Sequence, residues 1–508
     1  MKMVSPENVK VDHPEGQSKL LGTLFFIETV LLLGATALYL LGADRWGFAA
    51  TGILSSWLVQ IPIVRGKVPV FSMWGALALV VTVGSGVRGV AIALDYPDRT
   101  AIAELFTLDR SFESFGWVPL YIIAGVAAVV FGFMWTVTDR AEGERVSEVP
   151  TKAPRWALPT QAAQVEWINI AIFLYAAVGA FFTIRYYRLV GGASAGISDR
   201  RTTYTGASDY ASHGVEEFLA HAGVVALLLY VAHRLGQRKP VGPGFFLVVA
   251  VLSLNAFAIN WITTTRADLL YVAFGALVVV RIVHGRVPGG LVGGLAVVVL
   301  GGVGLLSSAR SGGEQQVSLA FAVDSGLMNR NAFDLSKTMH ILDAVPEVLP
   351  YQRGATIANY IFAPIPRSVW PDKPLVSPGP IIGEEIYGLP QTGVPPGLVG
   401  ESVWNFGLLP GIAFCFLVGL FLGLVERKAS RWSGQLLTLV IVYAYAIVPL
   451  GKAMMGVAVG QAFSQFLQNF ALTAPLFMLG LLAVLPVRAK AATGYKGRPA
   501  VKADGAVG

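Results

Sequence analysis

Residues 365–374 read Ile-Pro-Arg-Ser-Val-Trp-Pro-Asp-Lys-Pro. Pro366, Pro371 and Pro374 hold the backbone extended and bar it from continuing as helix. They thereby fix the directions in which Arg367, Trp370, Asp372 and Lys373 point. The string lies in a long polar segment, residues 308–400, of an otherwise apolar chain. A stiff cationic loop on such a scaffold suits the handling of an anionic head group. Arg310, Arg330 and Arg353 share the segment. Arginine forks onto two phosphate oxygens and keeps its charge. Arg266 sits in a very short turn between two apolar runs, where an arginine is costly unless it has a partner. Any one of these arginines could instead snorkel to lipid phosphates. As a set they describe a cationic surface.

The elements that must position these residues are membrane spans. Only 14% of the residues are charged and 54% are apolar, with a mean hydropathy of +0.62, whereas soluble domains carry nearer a quarter charged. Apolar runs of about 20 residues broken by short charged clusters predict an all-α, polytopic helical membrane protein. About twelve transmembrane helices are predicted, near 20–42, 47–64, 68–95, 117–137, 163–184, 214–232, 243–262, 267–283, 289–307, 402–425, 434–450 and 462–486. The organisation is an N-terminal tail (1–19), nine spans (20–307), the large loop (308–400), three spans (401–486) and a basic tail (487–508).

Alternate connections are short and rich in Lys and Arg, which places them and both termini in the cytoplasm. The large loop then faces outward, together with Arg185, Arg188, Arg200, Arg201 and Arg266. The net charge of +7 follows from this topology and needs no nucleic-acid partner. The lone Cys415 allows no disulfide framework and no cysteine-based metal site. His213, His221 and His340 lack metal-ligand spacing, and no Walker or Rossmann motif is present. No metal and no cofactor is expected.

Within the loop, residues from Ser325 to about Val345 have helical character. Arg330, Asp334 and Lys337, three to four apart, suit charge pairs on an interfacial helix. Glu401 is predicted at the start of the next span, where the helix dipole favours its charged form. Arg88 and Asp95, seven apart on one face of the third span, are expected as a structural pair, with part of a cavity as the alternative.

The pattern resembles the O-antigen polymerases (Wzy type), the oligosaccharide repeat-unit polymerases of bacterial inner membranes. The resemblance is carried by Arg330-Asn331, Arg353-Gly354-Ala355-Thr356, Ile365-Pro366-Arg367 and Trp370-Pro371-Asp372-Lys373-Pro374. Gly400-Glu401, Asn405-Phe406-Gly407 and the Thr265-Arg266 turn complete it. It implies a multi-pass enzyme of the bacterial inner (cytoplasmic) membrane with a glycosyltransferase C-like fold. The implied activity is metal-independent glycosyl transfer in O-antigen or exopolysaccharide synthesis. A glycan on undecaprenyl diphosphate is the implied donor, and the terminal hydroxyl of another lipid-linked unit is the acceptor. The lipid bilayer is a partner, and the resemblance allows a chain-length regulator as another.

On this resemblance Arg266, Arg330, Arg353 and Arg367 bind the leaving diphosphate with help from Lys373, because preplaced cations stabilise charge that grows in the transition state. Arg367 and Glu401 are the catalytic candidates, with Glu401 as general base to the sugar hydroxyl or, in the alternative, as a helix-stabilising carboxylate. His340 and Asp372 are further polar candidates near the sugar. Trp370 suits stacking on a sugar ring and equally suits anchoring at the interface. A ligase-like glycosyltransferase would use the same donor with another acceptor. A transporter or flippase would gather its charges at mid-membrane, whereas here they gather on the outer loops.

Overall fold

The computed structural model describes residues 15–96, 110–138, 162–192, 214–237, 242–263, 266–310, 318–327, 334–363, 365, 369–370, 372–389, 393–432 and 437–493. All regular structure among them is helical. The first part comprises α1 (Glu15–Leu40), α2 (Trp46–Val64), α3 (Met73–Ala93), α4 (Val118–Thr138), α5 (Ala162–Leu189), α6 (Gly214–Gly236), α7 (Pro243–Thr263), α8 (Arg266–His284) and α9 (Gly289–Arg310). The 308–400 segment holds α10 (Leu319–Leu327), α11 (Leu335–Ala344) and α12 (Gly379–Tyr387). Then follow α13 (Gly397–Phe406), α14 (Leu408–Trp432), α15 (Leu437–Gly456) and α16 (Val459–Thr493).

Ten of the described helices are long and apolar enough to cross a bilayer. The other two of the twelve predicted spans fall on α8, whose apolar stretch Leu269–His284 is shorter, and on α16. The chain is a polytopic helical membrane protein.

Small residues let the spans pack closely. Gly132 of α4 meets the Phe416 carbonyl, and Gly419 of α14 meets the Val129 carbonyl. Gly423, one turn further, meets Thr136. A Cβ at any of the three would collide, which is how glycines four apart bring two membrane helices together.

Two spans are locally widened. α3 has a π-turn at Thr82–Val87 and α15 has one at Tyr443–Ile447. In α15 the cause is Pro449, which has no N–H to give to the carbonyl four residues back. That carbonyl, Tyr445 O, instead accepts from Asn469 Nδ2 of α16 at 3.1 Å.

The 308–400 segment is not a surface appendage. Leu335, Met339, Ile341 and Leu342 of α11, with Leu349, Ile382 and Val394, are buried in one core with Trp74, Ile122, Trp404 and Met454 of the bundle. The helix predicted to lie at the interface is therefore interior, with even Ser336, Lys337 and Thr338 buried. Asp334 stays inside because it caps α11, accepting from Ser336 N at 3.0 Å and Lys337 N at 3.4 Å.

The expected Arg88–Asp95 pair does not form. The helix stops at Ala93, and Asp95 takes a left-handed conformation (φ 53°) that turns it outward to an ion pair with Arg45. Arg88 points inward to Ser336.

Candidate functional site

The site is built on a turn, Gln352-Arg353-Gly354-Ala355-Thr356, laid against α13. Arg353 has φ 52° and Gly354 has φ 91°. Glycine accepts that region freely, whereas arginine is strained there. Such strain persists only where the surroundings over-determine it.

Here they do so on both sides of Arg353. Gln352 N–H donates to the Trp404 carbonyl at 2.8 Å, and Trp404 Nε1 donates to the Pro350 carbonyl at 3.1 Å. Gly354 N–H donates to Asn405 Oδ1 at 2.9 Å. Asn405 Nδ2 donates to Thr356 Oγ1 at 2.7 Å and to the Glu401 carbonyl at 2.9 Å. Thr356 Oγ1 donates to Glu401 Oε1 at 2.7 Å. The other carboxylate oxygen, Oε2, accepts from Val459 N at 2.5 Å, at the start of α16. Glu401 and Asn405 are four apart on α13 and so share one face.

α13 is a separate short helix because Gly407 (φ 79°, ψ −172°) breaks it from α14, a conformation open essentially to glycine alone. Glu401 therefore lies in the second turn of a short helix and not at the N-terminus of a span, as the sequence pattern predicts. It is fully buried. Burial pushes its carboxyl up to about 7, against the opposing bonds from Val459 N–H and Thr356. The carboxyl thus spans a loop turn, a short helix and the start of α16. Both of its oxygens are engaged, so it meets no solvent in this conformation.

Of the other predicted site residues, Arg353 is exposed on this turn, which makes it the guanidinium the network presents. Lys373 folds back on its own loop, with Nζ donating to the Ile365 carbonyl at 2.7 Å. Trp370 packs edge-on against Phe362, centroids 5.3 Å apart. Asp372 is exposed. His340 is elsewhere, on α11, its Nδ1 3.0 Å from Tyr387 Oη of α12. Arg266 opens α8, but its side chain lies outside the described residues, as do Arg330 and Arg367 entirely.

Arg353 and Glu401 are therefore drawn into one network, and Lys373 and Trp370 shape the proline-rich loop downstream. Residue type alone does not mark Asn405 for this role. Its spacing from Glu401 is the signal that could have found it. Among the described residues, no group of three or more His, Cys, Asp or Glu side chains is placed to hold a metal ion.

The network falls inside a recognisable stretch. Residues 286–459 match the family model described as "Putative O-antigen polymerase". This stretch of the chain is similar to the O-antigen polymerase family. It runs from just before α9 to Val459, and so contains the strained turn, the proline-rich loop, Glu401 and the residue that bonds its second oxygen. No curated protein and no solved structure matches the chain. The apolar helices before and within that stretch make the chain a multi-pass membrane protein.

Proposed function

We propose that the chain polymerises lipid-linked oligosaccharide repeat units. The terminal hydroxyl of one lipid-linked unit attacks the anomeric carbon of a glycan held on undecaprenyl diphosphate. The new glycosidic bond forms as the anomeric carbon–oxygen bond breaks, the hydroxyl's proton passes to a general base, and the lipid diphosphate leaves with the electron pair of the broken bond. The reaction takes place at the outer face of the bacterial inner membrane, with both chain termini cytoplasmic, in keeping with the Lys and Arg bias of the opposite connections.

The observation that best supports this is Arg353, an exposed arginine in a strained conformation, pinned from both sides inside the family-matched stretch. A preplaced guanidinium stabilises the charge that grows on the departing diphosphate. Arg266, Arg330, Arg367 and Lys373 serve the same diphosphate. Trp370 and Asp372 line the approach of the sugars, whereas His340, apart from them on α11, serves a sugar only if the substrate extends to α11 and α12.

Glu401 is the carboxyl whose pKa of about 7 suits proton transfer near neutrality. With its oxygens held by Thr356 and Val459, the role it fills in this conformation is to hold the Arg353 turn. Removal of a proton from the sugar hydroxyl would require the Thr356 bond to open.

Reconstitution with purified lipid-linked repeat unit tests the proposal. Products two or more repeats long on the lipid carrier support it. Repeat units moved across the bilayer without elongation would make the chain a transporter, and long polymer left unattached in a strain lacking the chain would make it a ligase.

A further inference from the structure

A second cluster of charge lies inside the bundle. Arg88 of α3 is nearly buried, and Asp334 and Lys337 at the start of α11 are likewise inside. Arg88 Nε donates to Ser336 Oγ at 3.3 Å, and that hydroxyl donates to Asp334 Oδ1 at 2.7 Å. Burial alone would push the Asp334 carboxyl up, but Arg88 and Lys337, together with the bonds from Ser336 and Lys337 N–H, hold it below the usual carboxylate range.

Two further hydroxyls lie on elements that meet around this cluster. Ser85 lies one turn before Arg88, inside the π-turn of α3. Ser325 lies on α10, which packs against that π-turn. Both are fully interior, at 0% and 1% exposure, and neither Oγ has a hydrogen-bond partner. A fold seldom leaves buried hydroxyls unmatched, and when it does the exception asks for a cause. Here one lies a turn before a buried arginine, inside a π-turn, a distortion found frequently at functional sites, and the other on the helix packed against that turn. Hydroxyls and cations together form the donor set that phosphate oxygens accept from.

We infer that Ser85, Arg88, Ser325 and Lys337 form a second anion-accepting site, which binds a phosphate group of a lipid-linked diphosphate in the wall between α3, α10 and α11. The inference rests on the proposed use of a lipid-diphosphate donor. It adds a subsite outside the strained turn, part of it in α3, well before the family-matched stretch. Ser336 and Asp334 orient Arg88 and Lys337, and the two serine hydroxyls donate to the phosphate oxygens.

The test exploits the unmatched hydroxyls. Removing a buried hydroxyl that has no partner takes nothing from the fold, but removes a donor from a ligand that uses it. The full-length protein in detergent micelles is titrated with farnesyl diphosphate, with inorganic pyrophosphate and with phosphatidylglycerol. The wild type is compared with Ser85→Ala, Ser325→Ala and the double variant. Each single variant is expected to keep the melting temperature of the unliganded protein and to weaken farnesyl diphosphate binding by about ten-fold.

Pyrophosphate binding that shows the same serine dependence assigns the site to the diphosphate head, and competition by phosphatidylglycerol assigns it to a bulk lipid phosphate. Wild-type affinity in the double variant overturns the inference. So does a fall in unliganded melting temperature that accounts for the lost binding. Elongation is measured separately on lipid-linked repeat units, so a failure of the polymerase proposal stays distinct from loss of serine-dependent binding.

Discussion

Thr356 Oγ1 donates to Glu401 Oε1 at 2.7 Å, and this bond fastens the turn that presents Arg353 to the helix beneath it. The same hydroxyl accepts from Asn405, whose own carbonyl oxygen holds Gly354. Three side chains with every polar atom in use thus hold one arginine in a conformation it would not otherwise adopt.

Arg353→Gly separates strain from function. Glycine adopts φ 52° without penalty, although it also has more freedom to lose on folding. The two effects nearly offset, so thermal stability is expected to stay within about 1 kcal/mol of wild type. Polymer formation should be lost, and Arg353→Lys should restore it only partly, since lysine lacks the planar fork. A glycan gel with a full chain-length ladder from Arg353→Gly would remove the residue from the diphosphate site.

Glu401 gives a signed pH dependence. Its folded-state pKa of about 7 lies above the ordinary 4.5. Its contribution to stability is therefore complete below about 4.5 and is lost as pH rises to about 7. Over that window wild type is expected to lose roughly 3 kcal/mol relative to Glu401→Gln, which has no such titration. Denaturation at several pH values, compared between the two proteins, measures the difference. Parallel curves would mean that the carboxyl is not held as described.

Asn405→Ala should act on the reaction without touching substrate. It strips Gly354 N–H and the Thr356 hydroxyl of partners, at a cost of about 1–3 kcal/mol. Once the turn is loose, Arg353 is no longer preplaced. Turnover should fall more than substrate affinity, because the guanidinium matters most when charge develops. Equal changes in kcat and KM across a range of unrelated core variants would reduce Asn405 to a stability residue.

Much of this was legible in the chain. The apolar runs gave the spans, because burial in lipid demands long helices and composition records it directly. Arg353, Glu401 and the motif string around Trp370 stood out by residue type. The Asp334 cap was less visible: a polar residue at the head of an amphipathic stretch reads as surface until the packing partner is known. Lys337 reads as interfacial for the same reason, since nothing in residues 325–345 reveals that α3, α4 and α13 pack against α11. The break at Gly407, which turns Glu401 from the start of a span into a residue of a separate helix, depends on one glycine's backbone angles. Among 57 glycines, its position alone does not announce that.

Asp334→Asn tests how far the interior placement of the 308–400 segment depends on charge. The carboxylate caps α11 through Ser336 N and Lys337 N, and it faces Arg88 and Lys337 in the interior. Asparagine can still cap, so most of the helix-end bonding survives. What is lost is the charge that balances two buried cations, and uncompensated buried charge costs about 3–5 kcal/mol. The carboxyl's lowered pKa gives the opposite sign to Glu401: its stabilisation is present above the ordinary carboxylate pKa and is lost as pH falls below it. Asp334→Asn should therefore destabilise at pH 7 but converge with wild type in acid. Limited proteolysis between α10 and α11, followed from pH 7 downward, reads this out. Asp334→Ala, which removes cap and charge together, should be cut faster than Asp334→Asn at every pH. If Asn and Ala variants were cut alike, the cap would contribute nothing; if Asn matched wild type at pH 7, the balancing charge would not be what keeps α11 inside.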